Sequence, residues 1–295
     1  MKRFSLLLAL LPLAASAQTL EEYNALAEKK DSLGQQALLN KWEKKGTPDP
    51  DFYVAAFNYH VNHSRKQLIA LKAGTPEGDA LVMKDSVGNI AGYFGSSTAY
   101  DPDDIKKALA YIDKGIEKFP DRLDMRFGKA YLLSETKDWQ GLTGTVLTII
   151  DQSDTIKNKW KWKEGELLED SKVFMLDNIQ SYVLELYNAN DGSLLPYMAQ
   201  IAARVLTYYP EHIESLSNLS IVYMLQNQPD KALVLLLKAE KINPADMIVL
   251  SNIAHCYKMK GDTANALKYY ENMVKNGDSE SKAFAADQIS KLKNN

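Results

Sequence analysis

The sequence predicts an all-α chain of stacked helix–turn–helix units carrying one short β-hairpin insertion. Three observations lead there. A set of apolar and small residues recurs after 34 positions in the C-terminal third. Upstream, apolar residues recur at helical spacing. With 15 Gly and 10 Pro in 295 residues, the chain lacks the tight turns a sandwich or barrel needs. A hydrophobic fraction of 45% and a charged fraction of 25% are those of an ordinary folded protein able to bury a large core. One Cys excludes an internal disulfide framework and a zinc site of clustered thiolates. A formal charge of -3 supplies no basic field for nucleic acid.

Residues 1–17 read as a secretory signal peptide. Lys2 and Arg3 precede an apolar run from Phe4 to Ala14, and Ala15-Ser16-Ala17 sets the cut before Gln18. The run is shorter than the roughly 20 residues that span a bilayer, and no later stretch reaches that length, so no membrane span is expected. No Cys follows the cut, so no lipid anchor is expected. Removing Lys2 and Arg3 shifts the formal charge from -3 to -5. The expected location is periplasmic or secreted, behind a bacterial leader. Cys256, in an apolar helical stretch, reads as a small buried residue.

A single domain over 18–295 is expected to follow. A helix at 20–45 caps it or forms a degenerate first pair. Residues 51–150 hold the first repeats. Phe52, Ala55, Ala56 and Tyr59 mark a first helix, and Ala108, Ile112 and Pro120 a second. Between them lies an insertion at 66–102. Within it, 79–95 reads as a hairpin with a two-residue turn in Val87-Gly88-Asn89-Ile90, either a partner-specific arm or a flap over apolar surface. Phe127-Gly128-Lys129-Ala130-Tyr131 and then Trp139, Leu142 and Val146 form the next pair. Residues 151–171 are an irregular linker whose Trp160-Lys161-Trp162-Lys163 either plugs the connection or offers a sugar-stacking platform. A degenerate pair spans 172–210, two well-matched repeats span 213–278, and 279–295 is a capping helix with Phe284 and Ile289 on its apolar side.

The repeat itself is specific. Leu216, Leu219, Ser220 and Tyr223 share one helix face, Asn227-Gln228-Pro229-Asp230 interrupts, and Ala232, Leu236 and Ala239 make the next face before Pro244. Shifted by 34, the same slots hold Leu250, Ile253, Ala254 and Tyr257, then Gly261-Asp262, then Ala266, Tyr270 and Met273, closed by Gly277-Asp278. These residues resemble the tetratricopeptide repeat (TPR) family. Departures are Leu216 and Leu250 at its leading aromatic, and Ser220 and Ala254 at its Gly. One such unit cannot bury its faces alone, and stacking shares them between neighbours.

The resemblance implies a TPR-like α-solenoid whose concave groove, lined by first helices, holds a peptide or helix of a partner protein. Positions off the core stripe are then groove candidates: Tyr53, Phe57, His60, Met125, Lys129, Ser217, Ile221, Met224, Ser251, His255 and Lys258. Asn218 and Asn252 match the Asn slot of TPR clamps for C-terminal carboxylates. Ser217 and Ile221 replace that clamp's Lys and Asn, so the clamp function is not carried over.

No zinc-protease helix, phosphate loop, calcium loop or nucleophile elbow is present. His60 and His63 are three apart, a spacing able to serve a metal, with no readable carboxylate partner. Asp101-Pro102-Asp103-Asp104 reads as a helix start. Asn62-His63-Ser64 matches a glycosylation sequon that a bacterial export route leaves unused. The expectation is a non-catalytic exported interaction scaffold without catalytic residues, cofactor or metal. The alternative is a glycan or small-ligand binding protein of the cell envelope.

Overall fold

The structure is a computed structural model that describes residues 11–46, 49–74, 76 and 80–294, with the side chains of 11–18 and Glu164 left aside. The first ten residues of the expected leader lie outside the described residues, as does Asp79 at the start of the expected hairpin. Among the described residues are thirteen α-helices and three strands, and no helix is long and apolar enough to cross a membrane. Packing divides the chain into two compact units. One comprises residues up to Leu132 with Lys161–Leu167; the other comprises Leu133–Trp160 with Leu168–Asn295.

The first unit begins with α1 (Leu11–Glu28) and α2 (Ser32–Lys44), a helix pair rather than a single cap. Lys30 takes the left-handed conformation at the turn, with φ 56°, and Asp31 caps α2 by accepting from Gly34 N. Trp42 Nε1 donates to Asp49 at 3.2 Å. Asp49 in turn caps α3 (Pro50–Ser64), whose first residue is proline. Phe52, Ala55, Ala56 and Tyr59 are buried on α3, and so are Tyr53, Phe57 and Val61. Tyr53 and Phe57 are therefore core residues, not groove residues. The reason is that α3 is packed on several sides, by α1, α2 and α4 (Pro102–Lys118). Gly115 of α4 sits where a Cβ would stand 2.8 Å from Tyr53 Cβ and 3.0 Å from Met125 Sδ. This close approach buries Met125 of α5 (Leu123–Glu135) as well, which removes it from the groove set.

Between α3 and α4 stands a three-stranded antiparallel sheet, β1 (Arg65–Lys72), β2 (Leu81–Lys84) and β3 (Ile90–Tyr100), in the order β1-β3-β2. The expected hairpin is β2–β3; β1 is an additional strand. The turn is longer than the two residues expected. Asp85 N donates to Asn89 O, and the Asp85 carboxylate accepts from Val87 N and Asn89 N, both at 2.9 Å. This side chain closes a five-residue loop in which Gly88 takes φ 93°.

The second unit holds α6 (Trp139–Thr155), α7 (Ser171–Asn188), α8 (Leu195–Tyr208), α9 (Ile213–Leu225), α10 (Pro229–Ile242), α11 (Met247–Met259), α12 (Thr263–Asn276) and α13 (Ser279–Lys293). The pairs α9–α10 and α11–α12 repeat their helix bounds and closing turns at an offset of 34. His212 and Asp246 are the two N-caps. Asn227 and Gly261 take left-handed φ values of 58° and 73°. The following amides close the same turn, Gln228 N to Tyr223 O at 2.8 Å and Asp262 N to Tyr257 O at 2.9 Å. The second helices end alike, Asn243 N on Ala239 O and Gly277 N on Met273 O. Ser220, Ala254, Ala232 and Ala266 are fully buried, as close helix approach requires. These are repeated helix–turn–helix units with a 34-residue period.

In the linker, Trp160 is fully buried while Trp162 is half-buried. A sugar-stacking platform needs an exposed ring face, so Trp160 does not form one. On α13 the buried residue is Ala285, not Phe284, which is 46% exposed and meets Tyr270 edge-on. Ile289 is half-buried.

Candidate functional site

In the second unit, α7, α9 and the start of α11 enclose a cleft of about 280 Å³. Its wall is mostly apolar: Val183, Leu184 and Tyr187 from α7, Met198 from α8, Ile213 and Ile221 from α9, and Ile248 from α11. Leu184, Tyr187 and Ile248 are exposed in the chain alone, which leaves apolar area for a ligand to cover. Two side-chain amides cross it. Asn218 Nδ2 donates to Gln180 Oε1 at 2.5 Å, and Gln180 Nε2 donates back at 3.4 Å. Asn218 is thus engaged by α7 rather than held free as a clamp residue. Glu214 and Asp246 put negative charge on the rim. Asp246 spends its carboxylate on the N–H groups of Ile248 and Val249. Glu214 stands 3.2 Å from His212. Burial holds His212 below its ordinary pKa of 6.5, against the charge of Glu214.

Of the groove candidates, Ser217 and Ile221 line this cleft. Met224 does not: it is buried in the cluster formed by α9, α10 and α11. One repeat later, Ser251, His255 and Lys258 lie outside the cleft lining. Lys258 Nζ instead donates to Gln288 of α13 at 3.3 Å. The residues that sequence reasoning missed are Leu184, Tyr187 and Ile248. Their only signal was an apolar side chain off the core stripe, strongest on α7, where the repeat pattern is weakest.

The remaining candidates belong to the first unit. Lys129 is ion-paired with Asp113 at 2.7 Å. His60 is bound through Nδ1 to Asp104 Oδ1 at 3.1 Å, and His63 through Nδ1 to the other oxygen at 2.7 Å. The pair therefore has a carboxylate partner, supplied by α4 from 41 residues beyond His63 and invisible in local spacing. The His60 ring stacks on Tyr111 at 5.7 Å. Among the described residues no group of three or more His, Cys, Asp or Glu is placed to hold a metal ion.

The hydrogen bond from His63 is the largest influence on Asp104. Burial opposes it and the His60 bond reinforces it, and the carboxyl is held at about 2. Burial pulls His60 below 6.5 despite Asp104. Both shifts are downward, so each contributes stability at neutral pH that is lost on acidification. The loss at His60 begins as pH falls below 6.5. That at Asp104 follows as pH falls from 3.8 towards 2. The thermal midpoint is expected to drop between pH 7 and pH 5, and His60→Gln to make that drop shallower, whereas Asp104→Asn reduces the second fall. An unchanged slope in both variants, followed by circular dichroism, contradicts this account.

No family model matches the chain, and no curated protein matches its sequence. Among solved structures it is similar to YrrB, a TPR protein with an unusual peptide-binding site, at 14% identity and a TM-score of 0.40 over 63% of this chain and 84% of that one. It is also similar to a tetratricopeptide repeat protein from Parabacteroides merdae ATCC 43184, at 10% identity and a TM-score of 0.38 over 95% and 93% of the two chains. A thermophilic TPR protein of Thermus thermophilus matches at 15% identity and a TM-score of 0.38, covering 62% and 89%. The repeat architecture of this chain rests on the 34-residue recurrence of its own caps, turns and small residues.

Proposed function

We propose that this chain is an exported, non-catalytic interaction scaffold that holds a segment of a partner protein in the cleft between α7, α9 and α11. The observation that carries this reading is an apolar cleft built by the first helices of three consecutive pairs and crossed by the Gln180–Asn218 amide pair. Apolar walls supply affinity, and the few polar groups orient the guest. The reading of export rests on the leader. A mature chain would begin at Gln18, inside α1.

Cross-linking and mass spectrometry in the native host test both parts. Wild-type protein is expected to recover one enriched partner and to begin at Gln18. Ile221→Asp places a charge in the apolar wall and lowers recovery at least about ten-fold, the equivalent of ~1.4 kcal/mol of binding. Tyr187→Ala acts in the same direction. Equal recovery by both variants, or no enrichment over an untagged control, refutes the cleft as the binding site.

A further inference from the structure

The β1-β3-β2 sheet presents a second interaction surface, independent of the cleft. The antiparallel register pairs Leu71 with Phe94, Phe94 with Leu81, and Ile69 with Ser96. Opposed residues share a face, and alternation adds Met83 two positions from Leu81. Ile69, Leu71, Leu81, Met83 and Phe94 therefore stand on one face. All five are exposed, Ile69 to 84% and Leu81 to 73%. Large apolar side chains gathered like this on a small sheet mark a contact surface.

Two further features say what covers it. Among the described residues β1 pairs with β3 alone, so one edge of an eight-residue strand offers its N–H and C=O groups outward. The charged residues on the three strands are Arg65, Lys66, Lys72 and Lys84, all cations. Lys66 is engaged by Asp101 at 2.7 Å, while Lys72 at the far end of β1 is exposed. Along β1 the faces alternate, with Ile69 and Leu71 on the apolar one and Lys72 on the other. We propose that β1 accepts an extended segment of a partner protein as a fourth strand, one that alternates apolar and acidic residues. Its apolar side chains lie beside Ile69 and Leu71, a carboxylate meets Lys72, and main-chain bonds fix the register. A second copy of β1 is a poor occupant, because it brings three cations against three. A lipid surface leaves the free edge without hydrogen-bond partners.

The test uses the full chain and a fluorescein-labelled octapeptide alternating valine and glutamate, with a valine–lysine octapeptide as control. The acidic peptide is expected to bind at least about ten-fold more tightly than the basic one, with an affinity that falls as salt rises. It is expected to slow amide hydrogen exchange in 65–72. Ile69→Asp and Lys72→Glu change exposed positions and so keep the circular dichroism spectrum; each is expected to weaken binding about ten-fold. Ile221→Asp leaves this binding unchanged, which separates it from the cleft. Equal binding of the two peptides, no binding, or undiminished affinity in both β1 variants overturns the proposal. So does dimerisation in sedimentation that Ile69→Asp abolishes, or flotation with anionic phosphatidylglycerol vesicles.

Discussion

Replacing Trp160 with alanine is expected to destabilise the protein by about 3–5 kcal/mol, the range for truncating a large buried aromatic residue. Trp160 is fully buried and heads the largest side chains in that state. It sits in a connection, not a helix, and the chain around it is tied down. Leu168 N donates to Trp160 O at 2.9 Å, and Asn158 N to Ser153 O at 2.7 Å. Tyr209 OH joins Ser153 and Asn158, each at 2.8 Å. A connection tied down in this way relaxes little into the space left behind, which puts the cost at the upper end. Trp160→Phe leaves a smaller void and is expected to cost less. Urea unfolding followed by far-ultraviolet circular dichroism measures both. A loss below about 1 kcal/mol for the alanine variant contradicts the structural role.

Arg122→Met is expected to cost about 3–5 kcal/mol, because it strands charges whose partner was buried. The guanidinium is only 3% exposed. It donates to both oxygens of Asp124, at 2.8 and 2.7 Å, and to Asp51 at 3.2 Å. Asp51 lies in the first turn of α3 and Asp124 in that of α5, so one side chain joins two helix starts within the first unit. Burial disfavours its charge, but the Asp124 bonds and the two carboxylates outweigh that, and its pKa is raised. The double variant Arg122→Met, Asp124→Asn removes one stranded charge and is expected to regain part of the loss. A single variant as stable as wild type contradicts the ion-pair role.

The helices were legible because their signals are local. Apolar spacing marked α3, α4 and α9 to α12, while Pro50, Pro102 and Pro229 stand at helix starts. The cleft was half legible. Ser217 and Ile221 follow from the repeat offset, but their neighbours on α7 come from a degenerate pair with no offset to count from. Met125 on α5 is buried by the close approach at Gly115, and Tyr53 and Phe57 on α3 are buried for a different reason. A periodicity argument assigns one buried face per helix, and α3 is packed on more than one side.

Strand β1 was missed because Arg65-Lys66-Gln67-Leu68-Ile69-Ala70-Leu71-Lys72 has little β-branched or aromatic content; its pairing with β3 comes from residues about 30 positions away. A longer separation, 44 and 41 residues, hid the carboxylate that binds His60 and His63. Read unaided, the chain's own order yielded what neighbours within one or two helical turns control: the α-helical class, the 34-residue period, the helix starts and the small contact residues. Folding in three dimensions settled everything that depends on distant partners. It chose which helix faces are covered twice, sank Trp160, joined Asp104 to two histidines, and left one sheet face uncovered. Burial is a property of the assembled surface, and no stretch of sequence carries it alone.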